Sequence, residues 1–158
     1  MNGAVLNYVF KTNINTKKHF SGFSSPDLPL PKLKRFPTII ILNTDKANGP
    51  GEHWCLLFVK SKRKADFFDP YGNPPTYYNF DKPIFDKLDD VVYSDSCVQG
   101  ITPTCGHHCI FFSIQRARGH SMEHILKKMY SKNLWKNDRM VYNFVKNSYG
   151  DDFASFNF

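Results

Sequence analysis

The sequence lacks any hydrophobic run long enough to cross a membrane. Its longest aliphatic run, residues 39–42, is far shorter than the roughly 20 residues that a spanning helix needs. The first residues also lack the basic and then apolar layout of a secretory signal. We therefore expect a protein that is neither embedded in a membrane nor secreted.

Internal repeats, heptads and low-complexity tracts are also missing, and a chain of 158 residues has no room for a second full domain. Disorder is excluded by the apolar share of 41% and the 15 phenylalanines, because disordered chains are poor in aromatic residues. We expect one domain over residues 1–158. Without export, its four cysteines are expected as reduced thiols rather than disulfides.

Strands are predicted in one block of the chain and helices in another. Apolar runs predict strands over residues 37–43, 53–59, 65–68 and 91–93, with a hairpin turn at 60–64 and a turn at 69–72. Helices are predicted over residues 4–10, 84–88, 105–118, 122–130 and 136–147, and loops over 21–31 and 73–83. This separation favours an α+β fold, with a small mixed or antiparallel sheet packed with helices.

Cys105 opens one of these helices, and Thr102 or Thr104 is its candidate N-cap. The positive end of the helix dipole there favours a thiolate over a thiol, as a nucleophile requires. A free cysteine is more often a small buried apolar residue, so the position alone leaves both interpretations open.

A base and an orienting carboxylate are expected nearby. His53 opens one strand and Asp69 ends its antiparallel neighbour, so the hairpin places both near one end of the sheet. Gln99, in a loop six residues before Cys105, could donate its side-chain N–H to the oxyanion of a tetrahedral intermediate. Alone, each has an ordinary alternative: a surface histidine, a turn aspartate and an exposed loop amide.

Together these residues carry a family resemblance. Gly51-Glu-His53-Trp54, Phe68-Asp69-Pro-Tyr-Gly72 and Val98-Gln99-Gly100, followed by Cys105-Gly106 and Cys109, resemble the adenovirus-type cysteine endopeptidases, the adenain family. The stretch from Phe20 to Pro26 and the strand at residues 41–44 agree, and the resemblance runs from about residue 8 to residue 149. The chain is also similar to proteases of the same clan that deconjugate ubiquitin-like proteins.

The resemblance implies a papain-like active site reached by a permuted chain order. Cys105 would be the nucleophile, His53 the base and acid, Asp69 its orienting partner and Gln99 the oxyanion donor. Trp54 and Gly51 would line the substrate cleft. The family cleaves viral precursor proteins at small or glycine-containing sites as the particle matures, which implies a location in the virion and host nucleus. No cofactor would be needed for the chemistry, although DNA and a viral peptide are activators in that family.

Two departures from the family pattern set this chain apart. Asp69 stands where adenoviral enzymes carry the longer Glu, and Leu88 lies near the cysteine that those enzymes use to bind their activating peptide. Cys97 lies only two residues before Gln99, so activation through a disulfide does not carry over. The differences fit a relative from another virus or a virus-like mobile element.

The main alternative is a basic nucleic-acid-binding domain without catalysis, with or without zinc. Cys105, Cys109, His120 and His124 approximate zinc-finger spacing. However, the interval between the pairs is 10 residues where about 12 is usual, and a finger's cysteines lie on a hairpin rather than a helix. We expect no metal site, with His107, His108, His120 and His124 as ordinary histidines. A deconjugase for ubiquitin-like proteins is a third possibility.

The net charge of +7 is concentrated in the helical block. Residues 96–147 hold eight basic against two acidic residues, whereas residues 81–95 carry a net charge of −3. Such a block can bind a phosphate backbone without sequence preference, although most single lysines simply face solvent. We expect a monomer that binds DNA non-specifically through Arg116, Arg118, Lys127, Lys128, Lys132 and Lys136.

Overall fold

A five-stranded sheet forms the centre of the protein in the computed structural model, which describes residues 1–153. Its strands follow chain order and comprise β1 (Phe20–Ser24), β2 (Thr38–Asn43), β3 (Trp54–Val59), β4 (Lys64–Phe68) and β5 (Asp90–Tyr93). The three central strands are antiparallel, and the two edge strands each run parallel to their neighbour. The sheet is therefore mixed.

Within residues 1–153, five α-helices accompany this sheet. They comprise α1 (Gly3–Thr12), α2 (Asp81–Phe85), α3 (Cys105–Ala117), α4 (Met122–His124) and α5 (Leu134–Tyr149). Short 3₁₀ turns lie at Pro75–Tyr78 and Asp151–Phe153, and a π-helical turn at Ile125–Met129 continues α4. The predicted α+β class, with helices packed on a small sheet, is confirmed. No helix in residues 1–153 has the length and apolar character of a membrane span.

Both faces of the central strands β2 and β3 are buried, as their continuous apolar runs predict. Because side chains alternate along β2, Ile39 and Ile41 pack with α1, α3 and α5. Ile40 and Leu42 pack instead with a smaller core that includes Phe80. The antiparallel pairing of β3 with β4 and the packing of α3 against β3 bring the strand ends and the start of α3 together, and the rings of Phe68 and Phe112 stack 4.0 Å apart at that junction.

Several local predictions were wrong or displaced. The predicted loop at residues 21–31 begins with β1, whose Phe-Ser-Gly-Phe-Ser sequence carries few strand-forming residues, and its pairing with β2 is irregular between Phe20 and Gly22. The helix expected at 84–88 starts earlier, at Asp81. The helix expected at 122–130 is split into α4 and the π-helical turn.

Candidate active site

The β3–β4 hairpin brings His53 and Asp69 together. His53 directly precedes β3 and Asp69 directly follows β4, and the register pairs Leu56 with Phe68. The Nε2 atom of His53 lies 2.6 Å from Oδ1 of Asp69, and both side chains are buried. The two residues thus meet at one end of the sheet, as the predicted hairpin requires.

Asp69 is surrounded by hydrogen-bond donors besides His53. Its carboxylate accepts from the backbone N–H groups of Tyr71 and Asn73, from the Asn73 amide and from the hydroxyl of Tyr78, at 2.9–3.0 Å. Burial alone would raise the pKa of Asp69, but the His53 bond and these donors hold it below its usual value. Asp69 is therefore a charged acceptor that fixes the imidazole.

Cys105 is the first residue of α3 and lies close enough to His53 for the two groups to shift each other's pKa. Since Asp69 occupies Nε2 of the imidazole, Nδ1 is the nitrogen that remains for the thiol. Burial of Cys105 opposes ionisation and raises the pKa of its thiol. The interaction with His53 and the backbone N–H of Trp54 outweigh burial and lower this pKa. Its helix-start position adds a favourable dipole.

His53 is held in its protonated form by the same contacts. Burial would lower the pKa of His53, but the hydrogen bonds and charges of Asp69 and Cys105 raise it to about 9. A raised imidazole pKa beside a lowered thiol pKa favours a thiolate–imidazolium pair near neutral pH. Burial instead raises the pKa of Cys55, Cys97 and Cys109. Of the four cysteines, Cys105 is the one activated.

The start of α3 differs from the expected cap. Thr104 occupies the N-cap position, but its hydroxyl makes no capping hydrogen bond. It lies instead 3.0 Å from the hydroxyl of Thr102, which donates to Asp138. Without a side-chain cap, the first-turn N–H groups of α3 remain oriented toward any negative charge at Cys105.

Gln99 is buried in the loop that precedes Cys105, rather than exposed. Its Nε2 donates to the carbonyl of Thr102 at 2.8 Å and to the hydroxyl of Tyr71 at 3.2 Å. Tyr71 in turn stacks on His53, with ring centroids 4.7 Å apart. The Gln99 amide is therefore linked to the His53 ring through Tyr71, and both of its N–H groups are engaged.

The two predicted cleft residues lie on either side of His53. Trp54 is half-buried, and its indole N–H donates to the carbonyl of Met1 at 2.9 Å. Gly51 has a positive φ of 84°, and a side chain there would approach the amide of Asn43. The N-terminal residues Met1 and Gly3 thus pack on Trp54.

Sequence reasoning missed three residues of this site. Tyr71 and Asn73 follow Asp69 in a turn, where an aspartate commonly accepts backbone N–H groups, and that signal was available. Tyr78 comes from the 3₁₀ turn in a region predicted as loop, and only the folded chain brings it to Asp69.

The four candidate zinc ligands, Cys105, Cys109, His120 and His124, do not converge on one point in the structure. Cys105 and Cys109 lie buried in α3, whereas the rings of His120 and His124 stack on each other at a centroid distance of 5.1 Å. Within residues 1–153, one group of potential ligands converges, with His53, Cys55 and Asp69 atoms inside 4.8 Å. Two of these three belong to the candidate site itself.

Most of the predicted DNA-binding residues are exposed. Arg118, Lys127, Lys128, Lys132 and Lys136 lie on the surface between the end of α3 and the start of α5. Arg116 differs, because its guanidinium pairs with Asp66 at 2.7 Å and lies over the ring of Phe58. With only 9% of its side chain exposed, Arg116 has a structural partner and is little accessible to a phosphate.

Two crystal structures of the ASFV pS273R protease are among the solved structures that resemble this chain. The selenomethionine form matches with a TM-score of 0.39 and 18% sequence identity, over 63% of this chain and 41% of that chain. The other matches with a TM-score of 0.40 and 17% identity, over 64% of this chain and 39% of that chain. This chain thus spans less than half the length of the proteins that it matches.

No protein-family model matches the sequence. No curated protein matches it either. The resemblance to adenain-type enzymes stays a prediction.

Proposed function

We propose that this protein is a cysteine endopeptidase that cleaves precursor proteins at small or glycine-containing sites. The observation that carries the proposal is the buried 2.6 Å contact between His53 and Asp69, with Cys105 near His53 at the start of α3. In this setting the pKa of the thiol is lowered and that of the imidazole is raised. An activated thiol, a proton donor and an orienting carboxylate are the parts that acyl transfer requires.

In the first half-reaction, the Cys105 thiolate attacks the carbonyl carbon of the scissile amide. The His53 imidazolium gives its proton to the leaving nitrogen, the C–N bond breaks, and a thioester remains on Cys105. The developing oxyanion would accept from first-turn N–H groups of α3 and from Gln99, whose Nε2 would exchange its bond to the Tyr71 hydroxyl for one to the oxyanion. Asp69 keeps the imidazole oriented in both protonation states.

In the second half-reaction, water attacks the thioester. His53 takes a proton from the water, the C–S bond breaks, and the carboxylic acid leaves as the thiolate and imidazolium reform. No bound metal or organic cofactor is needed to balance either step.

Support for small residues near the cleaved bond comes from Trp54. It follows His53 directly in the chain, and its backbone N–H lies near Cys105 and lowers the pKa of the thiol. A bulky side chain there restricts the room for substrate side chains. In a virus or virus-like element, this preference would suit maturation of particle proteins in the virion and host nucleus.

DNA is proposed as a non-specific activator. Arg118, Lys127, Lys128, Lys132 and Lys136 are exposed along the segment from the end of α3 to the first turn of α5, and we take these residues as the basic surface. Neutralising backbone phosphates there would concentrate enzyme and substrate on the same polymer without changing the chemistry.

Cleavage of a panel of glycine-containing peptides by wild type and Cys105→Ala tests the proposal. We expect hydrolysis by wild type, none by Cys105→Ala, and near-normal rates for Cys97→Ser, which changes the exposed thiol. Equal hydrolysis by wild type and Cys105→Ala would end the proposal. A Gly-Gly isopeptide conjugate offered in parallel separates an endopeptidase from a deconjugase of ubiquitin-like proteins.

A further inference from the structure

A second histidine–carboxylate pair lies outside the candidate triad. Nε2 of His108 is 3.0 Å from Oδ1 of Asp138, and both side chains are fully buried. His108 lies one turn after Cys105 on α3, and Asp138 comes from α5. Because neither side chain reaches the surface, a substrate cannot contact the pair, and it is not a second catalytic centre.

Asp138 also binds the loop that carries Gln99, which we define as the Gln99 loop, residues 98–104. The backbone N–H of Gly100 donates to both carboxylate oxygens, at 3.0 and 3.1 Å. The hydroxyl of Thr102 donates to Oδ2 at 2.7 Å. One carboxylate therefore links the helix of the nucleophile to the loop of the proposed oxyanion donor.

The neighbouring residue, Asn137, holds the other side of Gln99. Its amide Nδ2 donates to the carbonyl of Val98 at 3.0 Å. Val98 and Gln99 also donate their backbone N–H groups to the carbonyl of Pro70, in the turn that follows Asp69. Gln99 is thus fixed between α5 and the triad turn.

The close approach of loop and helix depends on Gly100. A side chain at that position would place its Cβ 2.8 Å from Oδ2 of Asp138, too close for contact. Thr102, whose hydroxyl donates to Asp138, also accepts a hydrogen bond at its carbonyl from Nε2 of Gln99, at 2.8 Å. The position of the Gln99 amide therefore depends on Asp138 both through the backbone and through Thr102.

The charge of Asp138 is stabilised at this buried position. Burial alone would raise the pKa of Asp138, but hydrogen bonds from His108, Thr102 and Gly100 lower it. Burial lowers the pKa of His108, although the hydrogen bond and charge of Asp138 act to raise it, so this imidazole is neutral. It donates from Nε2 to Asp138, and its Nδ1 lies 3.1 Å from the hydroxyl of Tyr130.

We propose that Asp138 is a positioning residue that locks the Gln99 loop onto α3 and so holds the oxyanion-binding amide in register with Cys105. The proposal rests on the peptidase function proposed above. Oxyanion donors act through a preset position, and a misplacement of about 1 Å can cost roughly 100-fold in rate. Thiolate formation at Cys105 does not use the loop and is independent of this lock.

The first test compares wild type with Asp138→Asn. We expect the variant to lose roughly 100-fold in kcat with little change in KM, while the pH profile of Cys105 alkylation stays that of wild type. Asn143→Ala, on the exposed side of α5, is the control and should leave kcat unchanged. An unchanged kcat in Asp138→Asn, or an equal loss of alkylation and hydrolysis, would overturn the proposal.

A double-mutant cycle with Gln99→Ala tests whether Asp138 acts through Gln99. In the Gln99→Ala background, Asp138→Asn should lower kcat little further, because the donor is already absent. Additive losses would contradict the positioning role. If Asp138→Asn does not fold, Thr102→Val removes a donor to the same carboxylate and should show the same split between kcat and alkylation.

Hydrogen exchange separates this inference from the proposed function. Loss of the lock should speed amide exchange in residues 98–104, leaving α3 protected, whether or not the protein cleaves peptides. Faster loop exchange in a protein whose wild type cleaves nothing would support the lock and refute the peptidase. Unchanged exchange beside active wild-type hydrolysis would refute the lock alone.

Discussion

The Nε2 atom of His53 lies 2.6 Å from Oδ1 of Asp69, where the β3–β4 hairpin opens, and this contact leaves the other ring nitrogen to Cys105. The carboxylate thus fixes both the orientation of the ring and the nitrogen that exchanges a proton with the thiol.

Alkylation of Cys105 should remain fast below the pH at which an ordinary thiol ionises. The rate should rise as pH increases through the lowered pKa of Cys105, whereas Cys97, whose pKa is raised, should react at higher pH. In His53→Ala, the rise of the Cys105 alkylation rate should move toward higher pH. Iodoacetamide labelling located by peptide mass measures both sites, and identical profiles for the two cysteines would contradict the account.

Peptide hydrolysis should follow a bell-shaped pH profile. Activity should rise as Cys105 ionises and fall as pH increases through about 9, because His53 then loses the proton that the leaving nitrogen needs. A kcat/KM profile across pH 5–11 checks both limbs. A rate that continues to rise above pH 10 would argue against His53 as the acid.

Asp69→Asn and Asp69→Ala should separate charge from orientation. Asn keeps an acceptor for His53 but removes the charge that raises its pKa, so the alkaline limb should move to lower pH. Ala removes both, and kcat/KM should fall by roughly 100-fold. Asp86→Asn, at an exposed position, is the control. An alkaline limb that stays in place in Asp69→Asn would contradict this electrostatic role.

Tyr78→Phe should destabilise the protein, whereas Tyr77→Phe should not. The Tyr78 hydroxyl donates to Oδ2 of Asp69 at 2.9 Å, and removing one such bond costs about 1 kcal/mol of unfolding free energy. Tyr77 is 67% exposed, so its hydroxyl is in contact with water. Denaturant unfolding of both variants measures the difference, and equal stabilities would show that the Tyr78 bond contributes nothing.

Arg116→Met should lower stability much more than Lys60→Met. Both residues pair with Asp66, but the Arg116 side chain is 9% exposed and that of Lys60 is 39% exposed. Breaking a buried pair costs about 3 kcal/mol, whereas a surface pair contributes at most about 1 kcal/mol. Comparable losses in the two variants, measured by denaturant unfolding, would contradict a structural role for Arg116.

DNA should accelerate hydrolysis at low salt through the exposed basic surface. Charge reversal in Lys128→Glu with Lys132→Glu should reduce this stimulation and leave the rate without DNA unchanged. Lys17→Glu with Lys18→Glu makes the same change in net charge elsewhere and should preserve stimulation. Absence of stimulation across a salt series would remove DNA as an activator.

The sequence predicts the hairpin part of the site well because register is local. Once the turn at residues 60–64 pairs β3 with β4, His53 and Asp69 must lie at the same sheet end. The lowered pKa of Cys105 likewise agrees with its place at a helix start beside a histidine. Local patterns sufficed for these features.

Contacts between distant segments could not be predicted from local sequence patterns. Nothing in the composition of α5 indicates that Asn137 and Asp138 bind the Gln99 loop, because that contact depends on how the helix packs. Thr104 lies where an N-cap belongs, yet the hydroxyls of Thr102 and Thr104 join the Asp138 network instead. Arg116 resembles its basic neighbours in sequence, and only tertiary packing places it against Asp66.

The most direct test of the central claim is capture of the acyl-enzyme. An activated glycine-containing peptide ester is mixed with the protein, and the reaction is quenched in acid within the first turnover. The protein is then digested, and its peptides are analysed by mass spectrometry. The account predicts the mass of the acyl group on the peptide that contains Cys105, and no adduct in Cys105→Ala. Ester cleavage with no adduct on Cys105, or cleavage that persists in Cys105→Ala, would contradict it.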